Sequence, residues 1–249
     1  MRTILAALAM AMAVATGAAG AERSYAVMSL VGDGILVVTH RVATGSSLSP
    51  QTRDFKPLAD PALDRAAILA VDTALRRADP GAKVVLLGGR DAAALEAQAR
   101  TLGAPDAAQA VADAAIRHLP ATGATHLVLV LKARAPGRFR VDEATAEAGA
   151  LEGLGYYVDS TLITHREAEV ALATRGFLAP FAYVDLVLVD LATGKVVARR
   201  EAREAAPQAA TQSDSVDAWD AMPPAEKVSR LQGLLRKEAD AAVPALLAP

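Results

Sequence analysis

Residues 181–204, FAYVDLVLVDLATGKVVARREARE, contain the pattern that decides the fold. The first part, FAYVDLVLVDL, is almost continuously apolar, which is typical of a strand that is covered on both faces. Ala192-Thr193-Gly194 makes a short turn, and KVVARREARE then mixes apolar residues with arginine and glutamate. We therefore predict an antiparallel hairpin whose first strand lies inside the sheet and whose second strand borders solvent.

The rest of the chain alternates between strand patterns and helical patterns. THLVLVLK at residues 125–132 predicts a second buried strand, and the short apolar run at residues 83–87 predicts a third. Four segments space their apolar side chains as amphipathic helices do: residues 61–78, 92–102, 105–118 and 224–243, the last ending at Pro244. Because interleaved helices imply crossovers and the hairpin implies antiparallel pairing, we predict an α/β fold with a single mixed β-sheet, antiparallel hairpins and covering helices.

Gly32-Asp33-Gly34 separates two apolar runs, residues 24–31 and 35–42. Glycine accepts a positive φ and aspartate tolerates a left-handed conformation, so the trio predicts a tight hairpin loop between two strands. Asp33 is also a candidate site residue, since an acidic turn with a histidine close behind it is found in several hydrolases. An envelope hydrolase that brings Asp33 to His40 or His165 therefore stays open as an alternative function.

The N-terminal residues predict export. Met1-Arg2-Thr3 is a short positive start, residues 4–15 are apolar, and Ala19-Gly20-Ala21 fits the site at which signal peptides are cleaved. We predict a cleavable signal peptide at residues 1–21 and a single α/β domain at residues 22–249, located in the periplasm or secreted. The apolar run is shorter than the roughly 20 residues of a spanning helix, so no integral membrane segment is expected after cleavage.

Composition and motif spacing argue against several classes of chemistry. The chain has no cysteine, which excludes thiolate chemistry, and its net charge of −2 at pH 7 gives no reason to expect a nucleic acid partner. The four histidines, at positions 40, 118, 126 and 165, lack the spacing of a metal-binding pair. The serine-hydrolase elbow and the nucleotide-binding fingerprints do not occur, and Gly88-Gly89-Arg90 shares only the position of a phosphate-binding turn. We predict no metal, no cofactor and no catalytic residue set.

Two aromatic groups are candidate binding residues. Tyr156 and Tyr157 are neighbours on a strand predicted at residues 155–164, so their side chains face opposite sides. One of them is expected in the core, and the other is expected to be exposed or to hold a loop. Trp219 lies just before Pro223-Pro224, where it can pack over the start of the last helix. A small-ligand carrier with Tyr157 and Trp219 in its pocket is therefore a second alternative, and local packing is the other interpretation.

Two short motifs resemble known envelope families. They consist of Gly123-Ala124-Thr125 before one strand, and of Asp190, Thr193, Gly194, Lys195 and Val196 in the late hairpin. With these motifs, about half of the chain resembles the curli-secretion lipoprotein family and the amino-terminal domain of the Tol-Pal translocation protein. The chain departs from both in its glycine-rich middle and in lacking a lipid-carrying cysteine. Because of these departures, pore formation and outer-membrane anchoring are not carried over. The resemblance implies an envelope domain that binds partners, without a catalytic residue set.

These observations favour an exported, non-catalytic protein of the cell envelope that acts as a partner-binding or accessory domain. The expected partner is another envelope protein. The late hairpin and the glycine-rich middle, which we expect to form loops around one strand, are the expected contact surface.

Overall fold

The structure is a computed structural model, and it describes residues 23–40, 51–89, 91–141, 144–164, 173–209 and 218–248. Ten strands lie in these ranges: β1 (Ser24–Ser29), β2 (Gly34–His40), β3 (Gln51–Pro57), β4 (Lys83–Leu86), β5 (His126–Lys132), β6 (Arg134–Val141), β7 (Ala144–Thr164), β8 (Ala173–Asp190), β9 (Lys195–Ala205) and β10 (Gln208–Ala209). Four α-helices accompany them: α1 (Ala62–Ala78), α2 (Ala92–Thr101), α3 (Ala107–Arg117) and α4 (Pro224–Leu247). A short 3-10 helix, Ala218–Ala221, precedes α4.

The strands form an open mixed sheet, which confirms the predicted fold class. The main order is β3-β2-β7-β8-β5-β1-β4, with β9 and β10 on β8 and with β6 on β7. β1 runs parallel to β4 and β5, and β2 runs parallel to β7, while the other pairs are antiparallel. The late hairpin is present as β8 and β9, and β8 is interior while β9 pairs only with β8 among the described strands, as its polar residues indicated.

The predicted hairpin at Gly32-Asp33-Gly34 is wrong. β5 and β7 pair with successive parts of the same edge of β8, while β1 lies beyond β5 and β2 lies beyond β7. β1 and β2 therefore run in the same direction along the sheet, and Asp33 lies between them where the chain continues forward. The physical reason is that β1 already has a parallel strand on each edge, so neither edge is left for β2.

The glycine-rich middle forms paired strands where the sequence predicted loops. β7 is 21 residues long; its first part pairs with β6, and from Gly153 onward it pairs with β8 in the main sheet. Phe139, Ala148 and Leu151 of this hairpin are buried against Tyr157 and Phe181, so the hairpin folds over one face of the sheet. Burial of these apolar side chains stabilises a segment whose glycine content suggested mobility.

Helices and the β6–β7 hairpin cover both faces of the sheet. α1 and α4 pack on one face, and α2 and α3 pack on part of the other face beside the hairpin. Tyr156 and Tyr157 point to these opposite faces as predicted, and both are fully buried, so neither of them is exposed. The reason is the additional cover that the β6–β7 hairpin gives to Tyr157.

α4 extends beyond the predicted end at residue 243. It continues through Pro244 to Leu247, with Val243 and Leu246 buried in the core. Proline removes one backbone hydrogen bond from a helix interior. Here the proline lies in the last turn, and the burial of its two apolar neighbours keeps the backbone helical.

His126 at the start of β5 predicts a dependence of stability on pH. Burial lowers the pKa of His126, and the nearby Asp190 carboxylate only partly opposes this effect. As the pH falls below about 6.5, the unfolded chain protonates this residue before the folded chain does, so stability is lost. We expect wild type to lose stability relative to His126→Phe between pH 7.5 and pH 5, as measured by urea denaturation, and to keep a constant difference above pH 7.5. A difference that is constant down to pH 5 would contradict this assignment.

Candidate functional site

The structure does not bring Asp33 and His40 together. They lie at opposite ends of β2, a seven-residue strand, which separates their backbones by roughly 20 Å. The backbone carbonyl of Asp33 accepts a hydrogen bond from Leu58 N at 2.6 Å. A hydrolase built on this pair is therefore not supported, and His165 lies outside the described residues.

Tyr157 and Trp219 also lie apart, on opposite faces of the sheet. Tyr157 stacks on Phe139 with 4.9 Å between ring centroids, and burial raises its pKa to about 12. Trp219 instead contacts Tyr156 at 5.6 Å, and the Lys227 ammonium lies 4.0 Å from its ring centroid. No pocket shared by Tyr157 and Trp219 is formed, so these two predicted binding residues belong to separate packing clusters.

His118 and His126 also make separate contacts, each with a different neighbour. His118 Nδ1 lies 3.2 Å from an Asp91 carboxylate oxygen at the start of α2, and His126 stacks on Tyr25. Within the described ranges, no group of three or more acidic or histidine side chains could hold a metal ion. Gly88 and Gly89 do, however, line a cavity.

This cavity lies at the carboxyl ends of β1 and β4, beside the first turns of α1. Its volume is about 440 Å³. Its lining is mainly apolar and comes from one strand end, one loop and one helix: Leu86, Gly88 and Gly89, with Pro61, Ile68 and Leu69. In open α/β sheets, ligands commonly bind beyond the carboxyl ends of the strands, so this position suits a binding site.

A buried carboxylate fixes the shape of the cavity floor. Asp64, in the first turn of α1, accepts hydrogen bonds from Ser29 Oγ at 2.7 Å and from Gly32 N at 3.1 Å. These bonds tie the helix to the chain just after β1. Both bonds are accepted by Asp64 Oδ1, so the carboxylate serves as a structural brace beside a mainly apolar cavity.

Large apolar side chains are exposed around the mouth of the cavity. Leu69 is 49% exposed and Leu86 is 40% exposed, and both side chains line the cavity. Contiguous exposed apolar side chains on a folded protein commonly mark an interaction site. We call Leu69, Leu86 and the cavity together the edge surface.

β4 adds open hydrogen-bonding groups to the edge surface. Leu87 N donates to Val27 O at 2.9 Å, and backbone groups alternate in direction along a strand. The N–H and C=O groups of Val84 and Leu86 therefore point away from β1. No described strand pairs with this side of β4, so an extended peptide can add to the sheet here.

Sequence reasoning missed the edge surface, although two signals were present. Residues 83–87 read as a buried strand because they are apolar, but a four-residue strand that starts with lysine is typical of a sheet edge. Leu69 lies outside the apolar stripe of α1, among the charged residues of the outer face. A large apolar residue at that position has no core to enter and could have been identified as a contact residue.

Comparisons with known proteins give only distant structural similarities. No family model and no curated protein matches the chain. A solved structure from Xanthomonas campestris, described as a DUF330 protein, is 12% identical with a TM-score of 0.37, covering 90% of this chain and 84% of its own. A Helicobacter pylori protein, described as a homolog of a neuraminyllactose-binding hemagglutinin, is 7% identical with a TM-score of 0.39, covering 92% and 87%. The PelC dodecamer of Paraburkholderia phytofirmans is 10% identical with a TM-score of 0.32, covering 92% and 89%.

These similarities are too low to assign a function. Among the described residues, no helix is both long and apolar enough to cross a membrane. The edge surface is therefore the feature of this chain that points to a function.

Proposed function

We propose that the chain is an exported, non-catalytic partner-binding domain of the cell envelope, which receives an extended segment of another envelope protein along β4. The observation that carries this proposal is the open edge of β4 beside the exposed side chains of Leu69 and Leu86. Export rests on the signal peptide predicted at residues 1–21, which places the mature chain from Glu22 in the periplasm or outside the cell.

Strand addition explains why backbone hydrogen-bonding groups and apolar side chains are exposed together at β4. The outward N–H and C=O groups of Val84 and Leu86 would supply main-chain hydrogen bonds, while the cavity would accept an apolar side chain of the partner. Main-chain bonds give affinity for any extended segment, and the cavity selects among side chains. The arrangement needs no acid, base or nucleophile, which agrees with the dispersed histidines.

Photo-crosslinking in the native cell tests this proposal. We expect p-benzoylphenylalanine at position 69 or 86 to give a discrete adduct with an envelope protein, because a docked segment would lie against these positions. The matched control is position 197, where Val197 is 55% exposed but lies on β9 away from the edge surface. Adducts should be resolved by electrophoresis and identified by mass spectrometry.

A proline variant separates strand addition from apolar contact alone. Val84→Pro removes an outward N–H, and proline is tolerated on edge strands where the N–H faces solvent. We expect it to abolish the adduct from position 69 while the variant stays folded by circular dichroism. Equal adducts from positions 69, 86 and 197, or none from 69 and 86, would refute the proposed function.

A further inference from the structure

A second groove continues from the cavity along α1. It lies between α1 and α4, has a volume of about 340 Å³, and shares Arg65 and Leu69 with the cavity. The two spaces therefore form one continuous surface, with the apolar cavity at one end. A partner segment held at β4 would reach this groove across Arg65 and Leu69, which line both spaces.

The groove is positively charged although the whole chain is slightly acidic. Its charged lining consists of Arg65, Arg77, Arg236 and Asp240, a net charge of +2 from three positive groups and one negative group. The chain as a whole has a net charge of −2. Positive charge is therefore concentrated beside the edge surface, against the overall balance.

Two of the three arginines have no ionic partner within the described ranges. Arg77 Nη1 pairs with Asp240 Oδ1 at 2.8 Å, but Arg65 and Arg236 form no ion pair there. A guanidinium group presents five N–H donors in a planar fork that matches a carboxylate. The groove thus offers two guanidinium groups for carboxylates of a partner.

We infer that the segment received by the edge surface is acidic: an apolar side chain enters the cavity and two carboxylates that follow it bind Arg65 and Arg236. This inference rests on the proposed function and adds the chemistry of the partner. The groove extends along α1 from Arg65 to Arg77, a length of roughly 18 Å at 1.5 Å per residue. About six residues of extended peptide span that length.

Selection from a random peptide library tests the inference. The library should hold peptides about twelve residues long, enough to span β4, the cavity and the groove. We expect peptides selected on the mature protein to combine a leucine, isoleucine, valine or phenylalanine with at least two acidic residues. Their binding, measured by isothermal titration calorimetry, should weaken as the NaCl concentration rises.

Charge-reversal variants identify the groups involved. Arg65→Glu combined with Arg236→Glu should weaken binding of the selected peptides at least tenfold, about 1.4 kcal/mol. The matched control is Arg100→Glu with Arg117→Glu, which makes the same charge change on α2 and α3 at the opposite face of the sheet. It should leave binding unchanged.

The outcomes separate the two proposals. Peptides that lose binding to the Leu69→Ser, Leu86→Ser variant are held by the edge surface. If those peptides lack acidic residues, or bind the Arg65→Glu, Arg236→Glu variant as tightly as wild type, only the inference is overturned. Peptides that bind both variants as tightly as wild type, or a library that yields no binder, would overturn the proposed function as well.

Discussion

Gly155→Ala should destabilise the protein by about 3 kcal/mol or prevent it from folding. Gly155 lies in β7 between β2 and β8, where a Cβ atom would overlap the backbone carbonyl oxygen of Leu36 and lie 2.6 Å from the Phe181 ring. A backbone oxygen in a paired strand cannot move aside as a flexible side chain can. The replacement therefore forces β2 and β7 apart at the middle of their pairing.

Urea denaturation and the yield of soluble protein measure this effect. The matched control is Gly81→Ala, because the nearest atom to its added Cβ is Asp79 Oδ1 at 3.9 Å. We expect the control to remain within about 0.5 kcal/mol of wild type. If Gly155→Ala unfolds at the same urea concentration as wild type, the close approach of β2 to β7 is wrong.

Asp185→Ala should destabilise the protein by about 2 kcal/mol. The Asp185 side chain is only 8% exposed on the interior strand β8, and it accepts hydrogen bonds from Arg199 at 2.7 Å and from Arg203 at 3.2 Å. Removing one partner of a buried ion pair costs 3–5 kcal/mol because the other charge loses its compensation. The cost here is smaller, since both arginines remain partly exposed to water.

A double-mutant cycle tests the origin of that loss. Combining Asp185→Ala with Arg203→Met removes one of the two uncompensated charges, so the pair should be more stable than the sum of the single changes predicts. Thermal unfolding of the four proteins gives the coupling energy. Strictly additive effects would show that Arg203 does not depend on Asp185.

The sequence predicted those parts of the fold in which local pattern and tertiary environment agree. β5 and residues 178–189 of β8 are almost continuously apolar and are buried on both faces, and α1 has one apolar stripe that packs on the sheet. In these elements periodicity alone indicates the burial. Pairing partners were harder to predict, because Gly32-Asp33-Gly34 suits a hairpin locally while the neighbours of β1 exclude it.

The edge surface was missed for a related physical reason. An apolar run such as residues 83–87 has the same pattern whether a neighbouring strand covers it or not, and only the sheet order shows that β4 is last. Arg65 and Arg236 lie far apart in sequence, and the packing of α1 on α4 brings both to one groove. Sequence patterns describe single elements, whereas the cavity and the groove form only when β4, α1 and α4 pack together.

The pairing of β1 also has a consequence for the speed of folding. β1 joins β4 and β5, so its contacts reach across most of the first half of the chain, and Ser24 bonds to Thr125 across 101 positions. Closing such large loops costs chain entropy before the stabilising contacts have formed, and this cost slows folding. Ribosome-bound chains that end before residue 126 lack the central neighbour of β1, and the native sheet can assemble only after later residues have been synthesised.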